Sequence, residues 1–266
     1  MKDAERELGE LTSRRKASPS DMSEDSGGAV EEAIGRGYRA DMARPRGAQT
    51  RADAARTILT KTYPRVECAL DHRNAFELLA ATILSAQCTD KRVNIVTPSL
   101  FARYPTPTDL AGANPDELET IIQSTGFFRS KAKSLIGMAT AIDDRYAGEV
   151  PSDLADLVTV PGVGRKTGNV VRHVWFGLPG LPVDTHVTRL ASRLRLTNET
   201  DAVKIELQLN AMIPEDERGD FSLRLIEHGR AVCDARKPRC SECDLAEVCP
   251  SAGTFGVPQR APQKKA

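Results

Sequence analysis

Along the central part of the chain, apolar positions recur at the three- and four-residue steps of a helix, and no run alternates at the two-residue step of a strand. Phe76, Leu79, Ala80, Ile83 and Leu84 form one stripe. Asn74 stands before it with Glu77 three residues on, the spacing of a capping box. "NPDELETIIQSTG" repeats the device: Asn114 caps, Pro115 suits the first helical position, Glu117 falls at the third, and Gly126 closes the end. Leu135, Met138, Ala139 and Ile142 give another stripe, and Val187, Leu190, Ala191 and Leu194 a fourth. The pattern predicts an all-α protein of about eight to ten short helices. With aromatics at 5%, Leu, Ile, Val and Ala must carry the packing.

The ends lack this period. Residues 1–48 are rich in charge, Gly and Ser, and read as a mostly disordered extension in which Asp3 to Lys16 forms at most a transient helix. From residue 251 onward, Pro, Gly and a basic end predict a loose tail. The 266 residues between and including these ends are 40% hydrophobic, enough for one large domain or two small ones. Formal net charge is zero, so a nucleic-acid reading must rest on local patches. No uncharged apolar run approaches the roughly 18 residues of a membrane span, and the N-terminus lacks the apolar core of a signal peptide, so a cytoplasmic protein with no membrane partner is expected. Six cysteines are too few for a secreted disulfide scaffold. Four of them crowd between 233 and 249, which favours a metal site in a reducing compartment.

The stretch "LVTVPGVGRKTGNVV" sets a Gly-rich turn between apolar runs and a lysine just past it. Ser152 or Asp153 starts a short helix through Leu154, Leu157 and Val158; "PGVG" turns; "RKTGNVVRHVWFG" resumes helical spacing until Gly177. Gly162 and Gly164 permit a tight backbone and the close approach of another surface. The next helix then offers unpaired N–H groups beside them, a seat for a phosphate oxygen. This is the logic of a helix-hairpin-helix, which grips a DNA phosphate without reading bases, although a ligand-free corner would also explain "PGVG". Arg165 is either a phosphate contact or a solvated surface residue. Lys166, in the first turn, opposes the helix dipole at a cost of about 0.3–1 kcal/mol. It is either a second phosphate contact, or a nucleophile favoured by a positive helix end, which enriches the neutral form of an amine.

Further on, "LPVDTHVTRLASRLRL" puts Asp184 directly before a helical stripe. Asp184 is an N-cap by position, and a carboxylate fixed there could equally face a substrate cation. Spacing alone leaves both open. In "CDARKPRCSECDLAEVC", Cys233, Cys240, Cys243 and Cys249 follow the spacing C-x6-C-x2-C-x5-C. Four thiolates in one loop suit a tetrahedral metal or a 4Fe-4S cluster. Zinc sites usually pair two short C-x2-C turns or add histidine, and only one such turn occurs here, so the cluster is preferred. Arg236, Lys237 and Arg239 oppose only Asp234 and make a basic knuckle for phosphates. His173, Trp175, Cys68 and Cys88 read as packing residues.

"LSAQCTD", "TGFFRSKA", "VPGVGRKTGNVV", "VDTHV", "EHGRAVC" and the four-cysteine spacing, in that order, resemble the endonuclease III family of the helix-hairpin-helix superfamily, bifunctional DNA glycosylases and abasic-site lyases. The resemblance runs from about Arg51 to Val257. It implies an all-α, two-lobed fold: a helical barrel over 68–178 with the hairpin at 157–176, and a second lobe of 49–67 plus 179–250 that holds a 4Fe-4S cluster on the four cysteines. Double-stranded DNA bearing oxidised bases or abasic sites would lie across the cleft between the lobes of a monomer, in a bacterial cytoplasm at the nucleoid. Lys166 would be the nucleophile that attacks C1′ and Asp184 its partner. Gln87 would fill the gap left by the extruded base. The family's second wedge is a leucine, where this chain has Phe127. Ser85, Asp90 and His186 are candidates for the base pocket, each with a plainer capping or packing role beside it. Without the resemblance, a monofunctional glycosylase and a non-catalytic DNA-binding protein with a zinc knuckle remain as alternatives; Lys166 favours the lyase, because an amine nucleophile leads to strand cleavage while water stops at the abasic site.

Overall fold

The computed structural model describes residues 43–254. Most of the expected disordered extension, and residues 255–266 of the expected tail, lie outside the described residues. Among the described residues all regular structure is helical. Eleven α-helices follow in order: α1 Ala48–Thr62, α2 Ala75–Leu84, α3 Asp90–Arg103, α4 Pro107–Ala111, α5 Pro115–Ile122, α6 Phe128–Tyr146, α7 Leu154–Leu157, α8 Arg165–Val174, α9 Thr185–Arg193, α10 Ala202–Asn210 and α11 Arg218–Ala231. That is one more than expected; two short 3-10 turns join them and a third, Cys240–Glu242, follows α11. No helix among the described residues is long and apolar enough to cross a membrane.

Two hydrophobic clusters organise these helices. The first gathers Leu78, Leu79 and Leu84 of α2, Leu100 of α3, Leu118 of α5, and Leu135, Met138 and Ile142 of α6, with Val171 of α8 at its edge. The second joins α1, through Ala52, Ala55 and Leu59, to Leu190 of α9, Ile205 of α10, and Phe221 and Leu225 of α11. Small residues on α1 let α11 pack close against it, so the N-terminal helix is held by the C-terminal half of the chain. The connection from Val174 to Thr185 crosses from one cluster to the other.

Helix ends follow the expected side chains, with instructive departures. Asn74 accepts from the Glu77 N–H, but the Glu77 carboxylate takes the Arg73 N–H and guanidinium instead of closing a capping box on Asn74. Arg73, one residue before the cap, offers a backbone donor and a cation together and wins the carboxylate. Asn114 accepts from the Asp116 and Glu117 N–H groups; α5 then stops at Ile122, and a 3-10 turn carries the chain to Gly126. Asp153, not Ser152, caps α7, which has only four residues, with Val158 already beyond it. Trp175 departs from its expected packing role: it is 42% exposed and meets His72 edge-on at 6.1 Å. Ser251, expected in the loose tail, donates to the Arg193 carbonyl at 2.8 Å.

Candidate active site

The hairpin is built by two glycines with different tasks. Gly162 has φ +79°, and a Cβ there would come within 2.8 Å of the Ser134 Cβ on α6, so only glycine fits both backbone and space. Gly164 has an ordinary φ of −90°, and a methyl group placed on it would meet nothing within 4 Å. Its bare surface leaves the start of α8 open, with no side chain capping the first N–H groups and no acid in the first turn. Behind it, Gly168 lets Leu154 of α7 close onto α8, where a Cβ would sit 2.7 Å from a leucine methyl.

One side of α8 borders a cleft of about 1120 Å3, solvent included, whose wall contains Lys166, Asp184, Ser85 and Asp90 together. Lys166 is exposed on the first turn of α8, and Asp184 is half-buried at the start of α9. Both readings of Asp184 coexist: its Oδ1 accepts from the Val187 N–H at 2.8 Å, and the residue lines the cleft. Asp90 pairs with Arg230 of α11 at 2.9 Å, and the Ser85 hydroxyl donates to the Thr82 carbonyl at 2.8 Å. Tyr63, Glu227 and Arg230 also line the cleft. Sequence spacing did not reveal these three, because they come from the end of α1 and from α11, far apart in the chain. Cys68 and His173, read as packing residues, belong to the same wall. Burial pushes the Cys68 thiol up and pulls the His173 imidazole down, the latter partly offset by Asp220 at 3.3 Å.

The other expected pocket and DNA-contact residues stand away from the cleft wall. Gln87 and Phe127 are both exposed, Phe127 to 67%, and both adopt left-handed backbone with φ +53° and +47°. Such a conformation costs a non-glycine residue on the order of 1–2 kcal/mol, and strain of this kind collects at functional positions. His186 turns toward Arg189 at 3.1 Å and packs on Gly229 of α11, where a Cβ would lie 2.7 Å from its Nδ1. Arg165 forms a bidentate pair with Glu206 of α10, at 2.8 and 2.9 Å, with Glu206 only 3% exposed. Its fork therefore ties the hairpin to the second cluster instead of pointing to solvent. In the basic knuckle, Arg236, Lys237 and Arg239 are all exposed, but Arg239 donates to the Ala231 carbonyl and lies 3.6 Å from Glu242.

Cys233, Cys240, Cys243 and Cys249 line a single hollow of about 310 Å3, solvent included. Among the described residues, no three Cys, His, Asp or Glu side chains stand close enough together to hold one ion. Arg193 donates to the Cys233 sulfur at 3.0 Å, and His228 Nε2 lies 3.3 Å from that of Cys243. On its far side His228 meets the Tyr63 hydroxyl at 3.1 Å. Burial pushes the Cys243 thiol up to about 11, against a backbone hydrogen bond from Leu245, and the neighbouring cysteines add to the rise.

A family model described as HhH-GPD superfamily base excision DNA repair protein matches residues 80–215, so fold and cleft define a base-excision DNA repair protein. Endonuclease III of Synechocystis sp. is 53% identical over 76% of this chain and 93% of its own length. The Bacillus subtilis and Escherichia coli proteins of that name are 45% and 37% identical, over 70% and 73% of this chain and 86% and 92% of theirs. The chain belongs to the endonuclease III family. A solved endonuclease III–DNA complex superposes with TM-score 0.74 at 40% identity, covering 77% of this chain and 97% of that one, as does a trapped covalent endonuclease III–DNA intermediate. The protein is a DNA-binding repair enzyme, a DNA glycosylase that is also an abasic-site lyase, as the sequence motifs led us to expect.

Proposed function

We infer that the enzyme excises oxidised pyrimidines from duplex DNA, with Lys166 as nucleophile and Asp184 as its partner. The observation that carries this reading is the meeting of Lys166, from the start of α8, and Asp184, from the start of α9, in the wall of one cleft. A base inside a duplex hides its C1′, so the nucleotide must leave the stack and the gap must be filled. Gln87 and Phe127, exposed on strained turns, fill it. The Lys166 Nζ lone pair forms a bond to C1′ while the glycosidic bond breaks and the base departs with a proton. The Asp184 carboxylate stabilises the sugar cation as it develops. After the nitrogen gives up a proton, its lone pair expels O4′, which is protonated as the sugar ring opens, and C1′ and nitrogen become an iminium that acidifies the C2′ proton; loss of that proton expels the 3′ phosphate by β-elimination, and water then frees the lysine. The open start of α8 and the bare Gly164 surface hold a backbone phosphate, and Arg236 and Lys237 grip another.

The two hydrophobic clusters correspond to two lobes, a barrel over 68–178 and a second lobe of 49–67 plus 179–250, with DNA across the cleft. The cysteine loop fits a 4Fe-4S cluster. Its four cysteines line one cavity, and they contain a single C-x2-C turn where zinc sites usually pair two. When bound, such a cluster cross-links the loop and supplies no open position for substrate. Arg193 and His228 hold the sulfurs of Cys233 and Cys243. The enzyme works as a monomer on DNA in a bacterial nucleoid. The test is single-turnover cleavage of a duplex with one thymine glycol. Lys166→Gln and Asp184→Asn should each lose strand scission by several orders of magnitude; base release that survives Lys166→Gln would make water the nucleophile and the enzyme monofunctional.

A further inference from the structure

Gln87 and Phe127 lie 40 residues apart in sequence, on the turn after α2 and the turn before α6. Between these turns stands Lys131 of α6, whose side chain is buried to 5% exposure. Its ammonium donates to the Leu84 carbonyl and to the Thr125 carbonyl, both at 2.8 Å. Leu84 is the last residue of α2, three before Gln87, and Thr125 ends the 3-10 turn two before Phe127. One cation thus satisfies the orphaned carbonyl ends of two helical segments, where a positive charge is favoured. Each of those segments leads directly into a non-glycine residue in left-handed backbone. Such strain persists only where the surroundings over-determine it, and Lys131 is the anchor that the two turns share.

We propose that Lys131 is a positioning residue that sets the spacing between Gln87 and Phe127, so that both enter the gap left by one extruded base. The proposal rests on the reading of Gln87 and Phe127 as wedges. Lys131 itself touches no DNA: it is enclosed, and its reach is spent on backbone. Removing it leaves two buried carbonyls without a donor and frees the two turns to move independently. Because hydrogen bonds from a charged group are the stronger kind, the loss should cost about tenfold or more in any step that needs both wedges in register.

The experiment compares two substrates. On a duplex carrying one thymine glycol, the gap must be filled; on a single-stranded oligonucleotide carrying an abasic site, it need not be. Lys131→Met keeps length and apolar bulk and is expected to lower kcat/KM on the duplex about tenfold or more while leaving cleavage of the single strand within about twofold. Added to Gln87→Ala plus Phe127→Ala, it should cost nothing further, because the spacing it sets has lost its object. Equal losses on both substrates, or a loss additive with the wedge variants, would make Lys131 a general stabiliser and overturn the proposal. If Gln87→Ala and Phe127→Ala themselves leave the duplex rate unchanged, the wedge reading fails and takes the proposal with it. Loss of helical circular dichroism in Lys131→Met moves the same comparison to Lys131→Gln, which keeps a donor for one carbonyl and should show a smaller loss on the duplex alone.

Discussion

Replacing each hairpin glycine by alanine separates the two tasks that the fold assigns to them. At Gly162 the new methyl meets two penalties. Left-handed backbone costs a non-glycine residue on the order of 1–2 kcal/mol, and φ is +79° there. The Cβ would also come within 2.8 Å of the Ser134 Cβ and 3.5 Å of Ile83 Cδ1. The first of these atoms is fixed to the α6 backbone and cannot rotate away, so overpacking adds roughly 1–3 kcal/mol. A total near 3 kcal/mol lowers the thermal midpoint of a chain this size by about 6–12 °C. At Gly164 the backbone is ordinary and nothing lies within 4 Å, so Gly164→Ala should leave the midpoint unchanged to within about 2 °C. On the proposed phosphate-binding mode of the hairpin, the same methyl stands in the way of the phosphate, and it should weaken binding to an undamaged duplex several-fold. Differential scanning fluorimetry and fluorescence anisotropy read the two effects on the full-length protein. Equal destabilisation by both substitutions, or a stable Gly162→Ala, would refute the division of labour.

Two further outcomes follow from buried charge. Arg165→Met takes a bidentate, charge-assisted pair away from Glu206, which is 3% exposed, so it should cost about 1.5–3 kcal/mol in urea unfolding; an unchanged midpoint with a shallower salt dependence of DNA binding would return Arg165 to a phosphate-contact role. For His173, burial holds the folded imidazole below its ordinary value of 6.5, so the unfolded chain takes up the proton first and stability falls as pH drops below 6.5. His173→Gln should make that fall shallower, although His228, shifted the same way by burial, keeps part of it. Parallel unfolding-midpoint profiles for native and variant would show that His173 carries none of the slope.

The helical stripes announced their own burial: Leu135, Met138 and Ile142, read from spacing, lie in one core, and Val187 and Leu190 in the other. Asn74, and Asn114 with Pro115, located the starts of α2 and α5 because N-caps act within three residues, whereas Gly126 did not mark the end of α5, which stops at Ile122. Long-range choices left no such trace. Nothing near Arg165 tells that its partner is Glu206, 41 residues on, and nothing near Tyr63 tells that His228 receives it. A usable signal was missed at Lys131, which occupies the same stripe as Leu135 and Met138; a cation on an apolar face implies a buried acceptor. Asp184 was ambiguous in sequence because it does both things, capping α9 and lining the cleft.

Each step of the proposed reaction depends on the amine of Lys166. The most direct measurement is borohydride trapping on a duplex with one abasic site, followed by peptide mass mapping of the adduct. A stable protein–DNA link is expected in the native protein, located on Lys166 and absent from Lys166→Ala. A link mapped to a different amine, or undiminished trapping by Lys166→Ala, would contradict it.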